Sequence, residues 1–172
     1  MPGTFVLVHG VNHGGWCWEG VKKVLETKGH KVFAPSMLGC SDRAHLCAAK
    51  QCTLEAVVAD VVSQIESKDL QDIVLVGHSW GGCVIGAVAA HLRSRIARLV
   101  FVDAIILESG ESFRQHIPPA AWRELAAAAE ETDCLPVPPL ATFVPSWAPR
   151  RWRWHLEQRL RPHPGKPVTR AA

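Results

Sequence analysis

The segment that most constrains the fold is 73–82. It reads Ile-Val-Leu-Val-Gly-His-Ser-Trp-Gly-Gly, an apolar run that ends in a Gly-x-Ser-x-Gly motif centred on Ser79. A buried strand that turns sharply into a helix is the setting in which this motif exposes a reactive serine. The residues that follow, 82–95, are dense in Gly, Ala and Val, so a helix formed by them can pack closely on a sheet. The segment therefore predicts a strand–turn–helix unit with Ser79 at the turn.

Apolar runs alternate with helical segments through the first two thirds of the chain. Strands are predicted over 4–8, 31–34 and 96–102, and helices over 16–28 and 53–68, the second capped by a threonine. The first of these helices is expected to bury one apolar face made of Trp18, Val21, Val24 and Leu25. Nearly all-apolar strands between helices predict an α/β fold with a mostly parallel sheet flanked by helices.

The last third has a different pattern. Helices are predicted over 118–131 and 150–161, with five prolines between them in 136–149, and no apolar β-branched run follows Val102. We therefore predict a core over residues 1–113, a helical, proline-rich cap over 114–164 and a tail over 165–172.

Ser79 is the predicted nucleophile of an acyl transfer. Backbone N–H groups must then meet the charge that develops on the substrate oxygen. One is expected from Trp80, and the other from Val11, which follows His9 and Gly10 after the first strand. Because the carboxyl ends of parallel strands meet at one edge of a sheet, these residues and Asp103 are expected to lie together.

Segment 5–18 resembles the start of an α/β-hydrolase branch that contains plant methylesterases, hydroxynitrile lyases and related bacterial esterases. It reads Phe-Val-Leu-Val-His-Gly-Val-Asn-His-Gly-Gly-Trp-Cys-Trp. Further segments match in register, the last two being similar to the cap of the bacterial members: 29–32, 38–45, 76–82, 136–139 and 159–164. The resemblance implies an α/β-hydrolase core with a helical cap and hydrolysis by serine.

The same resemblance places the family's acid and then its histidine on two strands that follow the cap. The sequence reaches about that boundary in 166–172, so we expect the last core strands to be missing and transfer no base to any position. Lyase activity is poorly supported, because the lysine that it uses lies in the same region. Asp103 follows its strand where some α/β-hydrolases place the acid, and is the candidate acid here.

Nine histidines could supply a substitute base. His13 lies in the loop expected over the pocket and is the nearest candidate. His155 and His163 lie in the cap or tail and could swing in. His9 and His78 belong to the motifs and are expected to be structural.

The predicted substrate pocket is apolar and lined by His13, Trp16, Phe113 and Trp122. We predict a serine hydrolase of small neutral or aromatic carboxylic esters or amides, acting through an acyl-enzyme. One alternative is a catalytically impaired hydrolase remnant that binds small molecules. Another is a homodimer that covers the sheet edge left open after 96–102. Phosphate-loop, dinucleotide and metal signatures are absent, so no cofactor and no metal are expected.

Charge and composition bear on partners and location. Residues 148–172 hold seven Lys or Arg and one Glu, a basic stretch with tryptophans that could suggest nucleic acid or an anionic membrane. A solvated helix is the favoured interpretation, so neither partner is expected.

The first residues lack the pattern of a signal peptide, which predicts a cytoplasmic protein. The six cysteines include no C-x-x-C pair and are expected to be free thiols.

Overall fold

The computed structural model describes residues 2–49, 51–108, 110–142, 144–165 and 168. Four strands form a parallel sheet in the order β2-β1-β3-β4. They are β1 (Thr4–Val8), β2 (Lys31–Phe33), β3 (Ile73–Ser79) and β4 (Ile96–Ala104). The predicted parallel sheet is thus confirmed, and β4 pairs on one side with β3.

Helices cover both faces of this sheet, as predicted. They are α1 (Glu19–Thr27), α2 (Leu54–Glu66) and α3 (Gly81–His91). The Thr53 side chain caps α2 by accepting from the Ala56 N–H at 3.2 Å. Short 3₁₀ turns at Gly15–Trp18, Ser41–Leu46 and Arg93–Arg95 complete the connections.

Two hydrophobic clusters fix which face each helix covers. The larger joins alternate residues of β1 and β3, such as Val6 and Leu75, to the buried faces of α2 and α3. The smaller lies on the other face, where Leu7 and Val76 pack with Trp18. Since neighbouring strand residues point to opposite faces, the sheet is packed from both sides.

The predicted apolar face of the first helix is wrong in part. Trp18 is buried and Leu25 packs on the smaller cluster, but Val21 is 45% and Val24 is 56% exposed. Trp18 belongs to a 3₁₀ turn and α1 begins only at Glu19, so the 3.6-residue spacing does not run from Trp18 into α1. Val21, Val24 and Leu25 all lie within α1, and of these Leu25 packs on the smaller cluster.

The part of the chain after residue 113 contains two longer helices and a small ladder. A 3₁₀ turn at Phe113–His116 precedes α4 (Pro119–Thr132), and α5 (Arg150–Arg159) follows a turn at Leu140–Thr142. Strands β5 (Cys134–Leu135) and β6 (His163–Pro164) form an antiparallel pair, which the sequence analysis did not predict. The division into core, cap and tail stays a prediction, and most of the tail lies outside the described residues.

No helix among the described residues is long and apolar enough to cross a membrane. The six cysteines all lie in described segments and are free, as expected.

Candidate active site

Ser79 lies at the carboxyl end of β3, one residue before the turn into α3. Its φ is 53°, in the left-handed region that a non-glycine residue rarely adopts. Such a backbone costs on the order of 1–3 kcal/mol and persists only where its surroundings hold it. The side chain is half-buried rather than enclosed. Ser79 therefore lies at the predicted strand–helix turn with a strained backbone, and its role as a nucleophile stays a prediction.

The loop after β1 lies directly against this serine. A Cβ added to Gly10 would lie 2.9 Å from Ser79 Cβ and 3.2 Å from His78 Nδ1. On the other side of the turn, a Cβ on Gly81 would lie 2.7 Å from the His9 carbonyl oxygen. Real Cβ atoms do not approach this closely, so only glycine allows the loop, the strand end and α3 to meet here.

The two residues predicted to form an oxyanion hole flank this contact. Val11 follows Gly10 and is packed against the main core, and Trp80 follows Ser79 with its side chain only 1% exposed. The contact between Gly10 and Ser79 brings both residues to the same end of the sheet. The convergence of their N–H groups on one substrate oxygen stays a prediction.

His13 belongs to the same loop, and a hydrogen bond to Val11 defines which of its ring nitrogens carries the proton. Its Nδ1 lies 2.7 Å from the Val11 carbonyl oxygen, which can only accept, so Nδ1 carries the proton in the neutral ring. The ring stacks on Trp16 with centroids 5.4 Å apart and meets His78 edge-on at 6.2 Å. Burial lowers the pKa of His13 below its usual value, which favours the neutral imidazole.

Asp103 is the penultimate residue of β4, has a left-handed conformation with φ 43° and is exposed. Its charge acts on His78, whose pKa is lowered mainly by burial, further lowered by His13 and partly restored by Asp103. The charge of Asp103, the predicted acid, therefore acts on a histidine of the candidate site. Its catalytic role stays a prediction.

The other candidate histidines have distinct surroundings. His9 is fully buried; its Nδ1–H donates to the Gly10 carbonyl at 2.8 Å, and its Nε2 accepts from the Met37 N–H at 2.9 Å. These bonds support the prediction that His9 is structural. His155 lies edge-on to Trp16 at 6.0 Å, on α5.

His163 is buried behind the serine turn rather than at the surface. It is 2% exposed, meets the Trp80 ring edge-on at 5.2 Å and has Nδ1 3.4 Å from Cys40 Sγ. Its Nε2 has no hydrogen-bond partner among the described residues. A swing of this ring into the pocket would therefore have to break a packed contact.

Asn12 is a residue that the sequence analysis missed. It is 3% exposed with φ 62°, and its Nδ2 donates to the carbonyls of Arg161 at 2.9 Å and Pro136 at 3.3 Å. Its own carbonyl accepts from the Arg161 N–H at 3.2 Å. Asn12 thus joins the loop beside Ser79 to the segments around β5 and β6. Its place in a Gly-rich loop was the available signal, since Asn tolerates left-handed turns.

The predicted pocket residues are only partly brought together. Trp16 contacts both His13 and His155, and the Arg159 guanidinium lies 5.7 Å from its ring centroid. Phe113 packs against the main core, and Trp122 is half-buried on α4. Contact of these side chains with a substrate stays a prediction.

Two cysteines near the site do not offer an alternative nucleophile. Burial raises the pKa of Cys17 to about 12 and that of Cys83 to about 11, so both are thiols at neutral pH. Within the described segments, no group of three or more His, Cys, Asp or Glu side chains is arranged to hold a metal ion.

The buried histidines predict a loss of stability in acid. Desolvation lowers the pKa of His9 to about 4 and that of His163 to about 3, against an ordinary value of 6.5. Since the unfolded chain binds these protons below about pH 6.5 and the folded chain does not, the free energy of unfolding should fall as pH drops from 6.5 to 4. The loss should reach a few kcal/mol, measured by urea unfolding across pH.

The matched variants are His163→Gln and His91→Gln, the second at an exposed position of α3. His163→Gln should flatten the dependence of stability on pH between 6.5 and 4, and His91→Gln should leave it unchanged. The same slope in wild type and in His163→Gln would contradict the assignment to His163.

Comparison with known proteins agrees with this geometry. The sequence profile of a family described as alpha/beta hydrolase fold matches residues 3–165. A carbendazim hydrolyzing esterase from Nocardioides sp. (strain SG-4G) is 43% identical over 124 residues, which are 72% of this chain and 51% of that protein. Methylesterase 3 from Arabidopsis thaliana is 32% identical over 131 residues, 76% of this chain and 48% of that protein. The predicted resemblance to methylesterases and bacterial esterases is confirmed.

Solved structures agree as well. An extracellular alpha/beta-hydrolase from a Paenibacillus species superposes with a TM-score of 0.86 at 31% identity, over 97% of this chain and 69% of that one. Polyneuridine aldehyde esterase, at 22% identity and a TM-score of 0.74, shares the fold. The chain spans about half the length of the curated relatives described above.

Proposed function

Because the chain belongs to the alpha/beta hydrolase fold family, we propose that it hydrolyses small neutral or aromatic carboxylic esters or amides with Ser79 as the nucleophile. The observation that carries this proposal is the left-handed backbone of Ser79 at the turn from β3 to α3, with Gly10 against its Cβ. Relatives named as esterases and hydrolases support the reaction type.

The reaction proceeds in two steps. Ser79 Oγ loses its proton to a base and attacks the carbonyl carbon, and the N–H groups of Val11 and Trp80 stabilise the tetrahedral oxyanion. The carbon–oxygen bond of the ester breaks, the alcohol leaves with a proton, and an acyl-serine remains. Water then adds to the acyl carbon and releases the carboxylic acid and free Ser79.

His13 is the proposed base within the described residues. Its Nδ1–H is held by the Val11 carbonyl, so in the neutral ring Nε2 is the unprotonated nitrogen, the atom that acts as the proposed base. Its lowered pKa keeps it neutral at pH 7. Asp103 is the proposed acid; its charge acts on His78, which lies edge-on to His13, and so favours a positive charge at this end of the sheet.

The substrate class follows from the surroundings of the site. His13, Trp16, Phe113 and Trp122 are proposed to line the substrate, a set with three large apolar rings. Relatives named for carbendazim, pyrethroids and methyl esters favour small neutral esters as the first compounds to test.

Hydrolysis of p-nitrophenyl acetate across pH tests this mechanism. Because the base must be unprotonated, kcat/KM should rise with pH through an inflection below 6.5 and then level off, in line with the lowered pKa of His13. His13→Gln should lower kcat/KM about 10²-fold and remove the inflection. His45→Gln, on an exposed 3₁₀ turn, is the matched control and should change neither. An unchanged inflection in His13→Gln would exclude His13 as the base.

A second candidate function is binding without efficient turnover. Two histidines of the site direct their Nδ1 atoms to backbone carbonyls, His13 to that of Val11 and His9 to that of Gly10, rather than to Ser79. A remnant of this kind would bind small neutral esters with equal affinity in wild type and Ser79→Ala, at equally negligible rates of hydrolysis. Turnover that depends on Ser79 would reject this alternative.

We also propose that the chain forms a homodimer through β4. Along this strand Leu99, Val100 and Val102 are 38%, 38% and 41% exposed, and an apolar edge invites pairing with another strand. Light scattering should give twice the 18.8 kDa of one chain. Val100→Lys should give the monomer mass. A wild-type monomer at high concentration would reject the dimer.

The predicted cytoplasmic location stays a prediction, which cell fractionation would test.

A further inference from the structure

A second cavity of about 690 Å³ lies away from Ser79, on the β2 side of the sheet. Its volume falls within the range of small-molecule sites, roughly 300–1,000 Å³. The strand order places β2 and β4 at opposite edges, so this cavity is separate from the β4 surface proposed for pairing. Ser79 and Gly10 are not among its lining residues. The cavity therefore needs an explanation of its own.

The inner wall of the cavity is apolar. It is formed by side chains of β1, β2 and α2, among them Val6, Val32, Val61 and Ile65, each 4% exposed or less. Leu70 and Phe33 continue this wall toward the open end. An apolar wall of this kind favours a ligand with a compact hydrocarbon or aromatic body, because each buried carbon is removed from water.

The rim of the cavity carries four cations and two carboxylates. Three of the cations are already neutralised. Arg43 makes two bonds to Asp60, at 2.6 and 2.7 Å; Arg159 lies 2.7 Å from Glu19. The third, Lys22, bonds to Glu26 and to a backbone carbonyl.

The fourth cation, Lys68, has no carboxylate partner in the described part of the chain. Its Nζ lies 5.8 Å from the centroid of the Phe33 ring, and Lys31 Nζ lies 5.3 Å from the same centroid. Lys68 lines the cavity and Lys31 lies outside its lining, and neither ammonium group forms an ion pair with a described residue. Among the lining cations Lys68 is thus the one with no described carboxylate partner, while Asp42, the second rim carboxylate, accepts a hydrogen bond from the Ser36 hydroxyl.

From these contacts we infer that the cavity between β2 and α2 binds a small amphipathic carboxylate, with its apolar body against Val6 and Ile65 and its charge at Lys68 beside Phe33. A carboxylate placed there accepts hydrogen bonds from the Lys68 ammonium and gives it the ion pair that no described residue supplies. The site does not involve Ser79, although it shares Trp16 with the proposed substrate pocket.

The cavity also touches the candidate active site through one side chain. Trp16 lines the cavity and stacks on His13, and Arg159 lies over its ring. A ligand in the cavity is therefore expected to change the environment of the Trp16 indole. This gives the site a local spectroscopic signal in the ¹H–¹⁵N spectrum.

Calorimetric titration of the full chain with 4-phenylbutyrate tests the inference, with 4-phenylbutan-1-ol as the neutral counterpart. We expect saturable binding of the carboxylate with a dissociation constant on the order of 0.1–1 mM, and weaker binding of the alcohol. Chemical-shift changes should map to Phe33, Gln64 and Lys68, and to the Trp16 indole. Binding of both compounds with equal affinity would overturn the carboxylate assignment, and shifts confined to the loop 10–15 and Ser79 would place the ligand in the other site.

Three variants and one control test separately the charge of Lys68 and the volume of the cavity. Lys68→Gln should weaken binding about fivefold at low salt, and Lys68→Glu by more than tenfold. Lys23→Gln is the matched control, an exposed lysine of α1 outside the cavity, and should leave binding unchanged. Gln64→Phe fills the cavity from α2 and should abolish binding while the chain stays folded by circular dichroism. Unchanged affinity in both Lys68→Glu and Gln64→Phe would overturn the proposal.

Discussion

Ser79→Ala should lower kcat/KM for p-nitrophenyl acetate by about 10³-fold or more, while the protein stays folded. The reason is that alanine removes the only atom of this residue that can form the acyl bond, and the oxyanion donors alone leave residual catalysis. The backbone of the turn, held by Gly10 and Gly81, does not depend on the hydroxyl. Steady-state kinetics of the purified variant, with circular dichroism as the check on folding, measure this effect.

Ser79→Gly is the informative companion variant. Glycine adopts φ 53° without the steric cost that a Cβ imposes, so Ser79→Gly should be about 1 kcal/mol more stable than Ser79→Ala and equally inactive. Between these two variants stability then differs while activity does not, which separates the backbone strain at this position from the role of the hydroxyl. Activity retained in either variant would contradict a nucleophilic Ser79.

Gly10→Ala should be nearly as damaging to activity as loss of the serine. The added Cβ would lie 2.9 Å from Ser79 Cβ and 3.3 Å from the His78 carbonyl oxygen, so the loop or the turn must move. That movement would displace the N–H of Val11, which is the proposed oxyanion donor of this loop. Loss of one such donor costs about 10²–10³ in kcat, and we expect a fall of that size, measured under the conditions used for Ser79→Ala.

Gly20→Ala is the control for the glycine substitution. Gly20 lies in α1, and a Cβ there would have no heavy atom within 4 Å. This variant should keep full activity and gain a few tenths of a kcal/mol or more of stability, since alanine is the better helix former. Equal activity in Gly10→Ala and wild type would show that the Gly10 loop does not set the geometry at Ser79.

The sheet was the most predictable part of the fold, because buried parallel strands leave a strong local signal. The predicted strand over 4–8 coincides with β1, and Ser79 ends β3. The exposure of Val21 and Val24 was not predictable from spacing, since it depends on which residues of α1 contact the rest of the fold, and of its apolar residues Leu25 packs on the smaller cluster. The ladder between β5 and β6 joins segments of two residues each, too short to leave a periodic pattern.

The candidate site was predictable to the extent that it is local in sequence. Ser79 belongs to a motif in which each glycine has a steric reason, and Gly10 belongs to the matching loop. Asn12 acts through carbonyls more than a hundred residues away, and no sequence pattern indicates such partners. The burial of His163 beneath Trp80 likewise depends on long-range packing, so its surroundings could not be predicted from the sequence.

Labelling with a fluorophosphonate, followed by intact-mass and peptide mass spectrometry, tests the nucleophile most directly. We expect one adduct per chain in the wild type, located on Ser79, and none in Ser79→Ala. Heat-unfolded wild type should also stay unlabelled, because the reactivity depends on the folded turn. An adduct on another residue, or a folded wild type that takes up no label, would contradict a serine hydrolase that acts through Ser79.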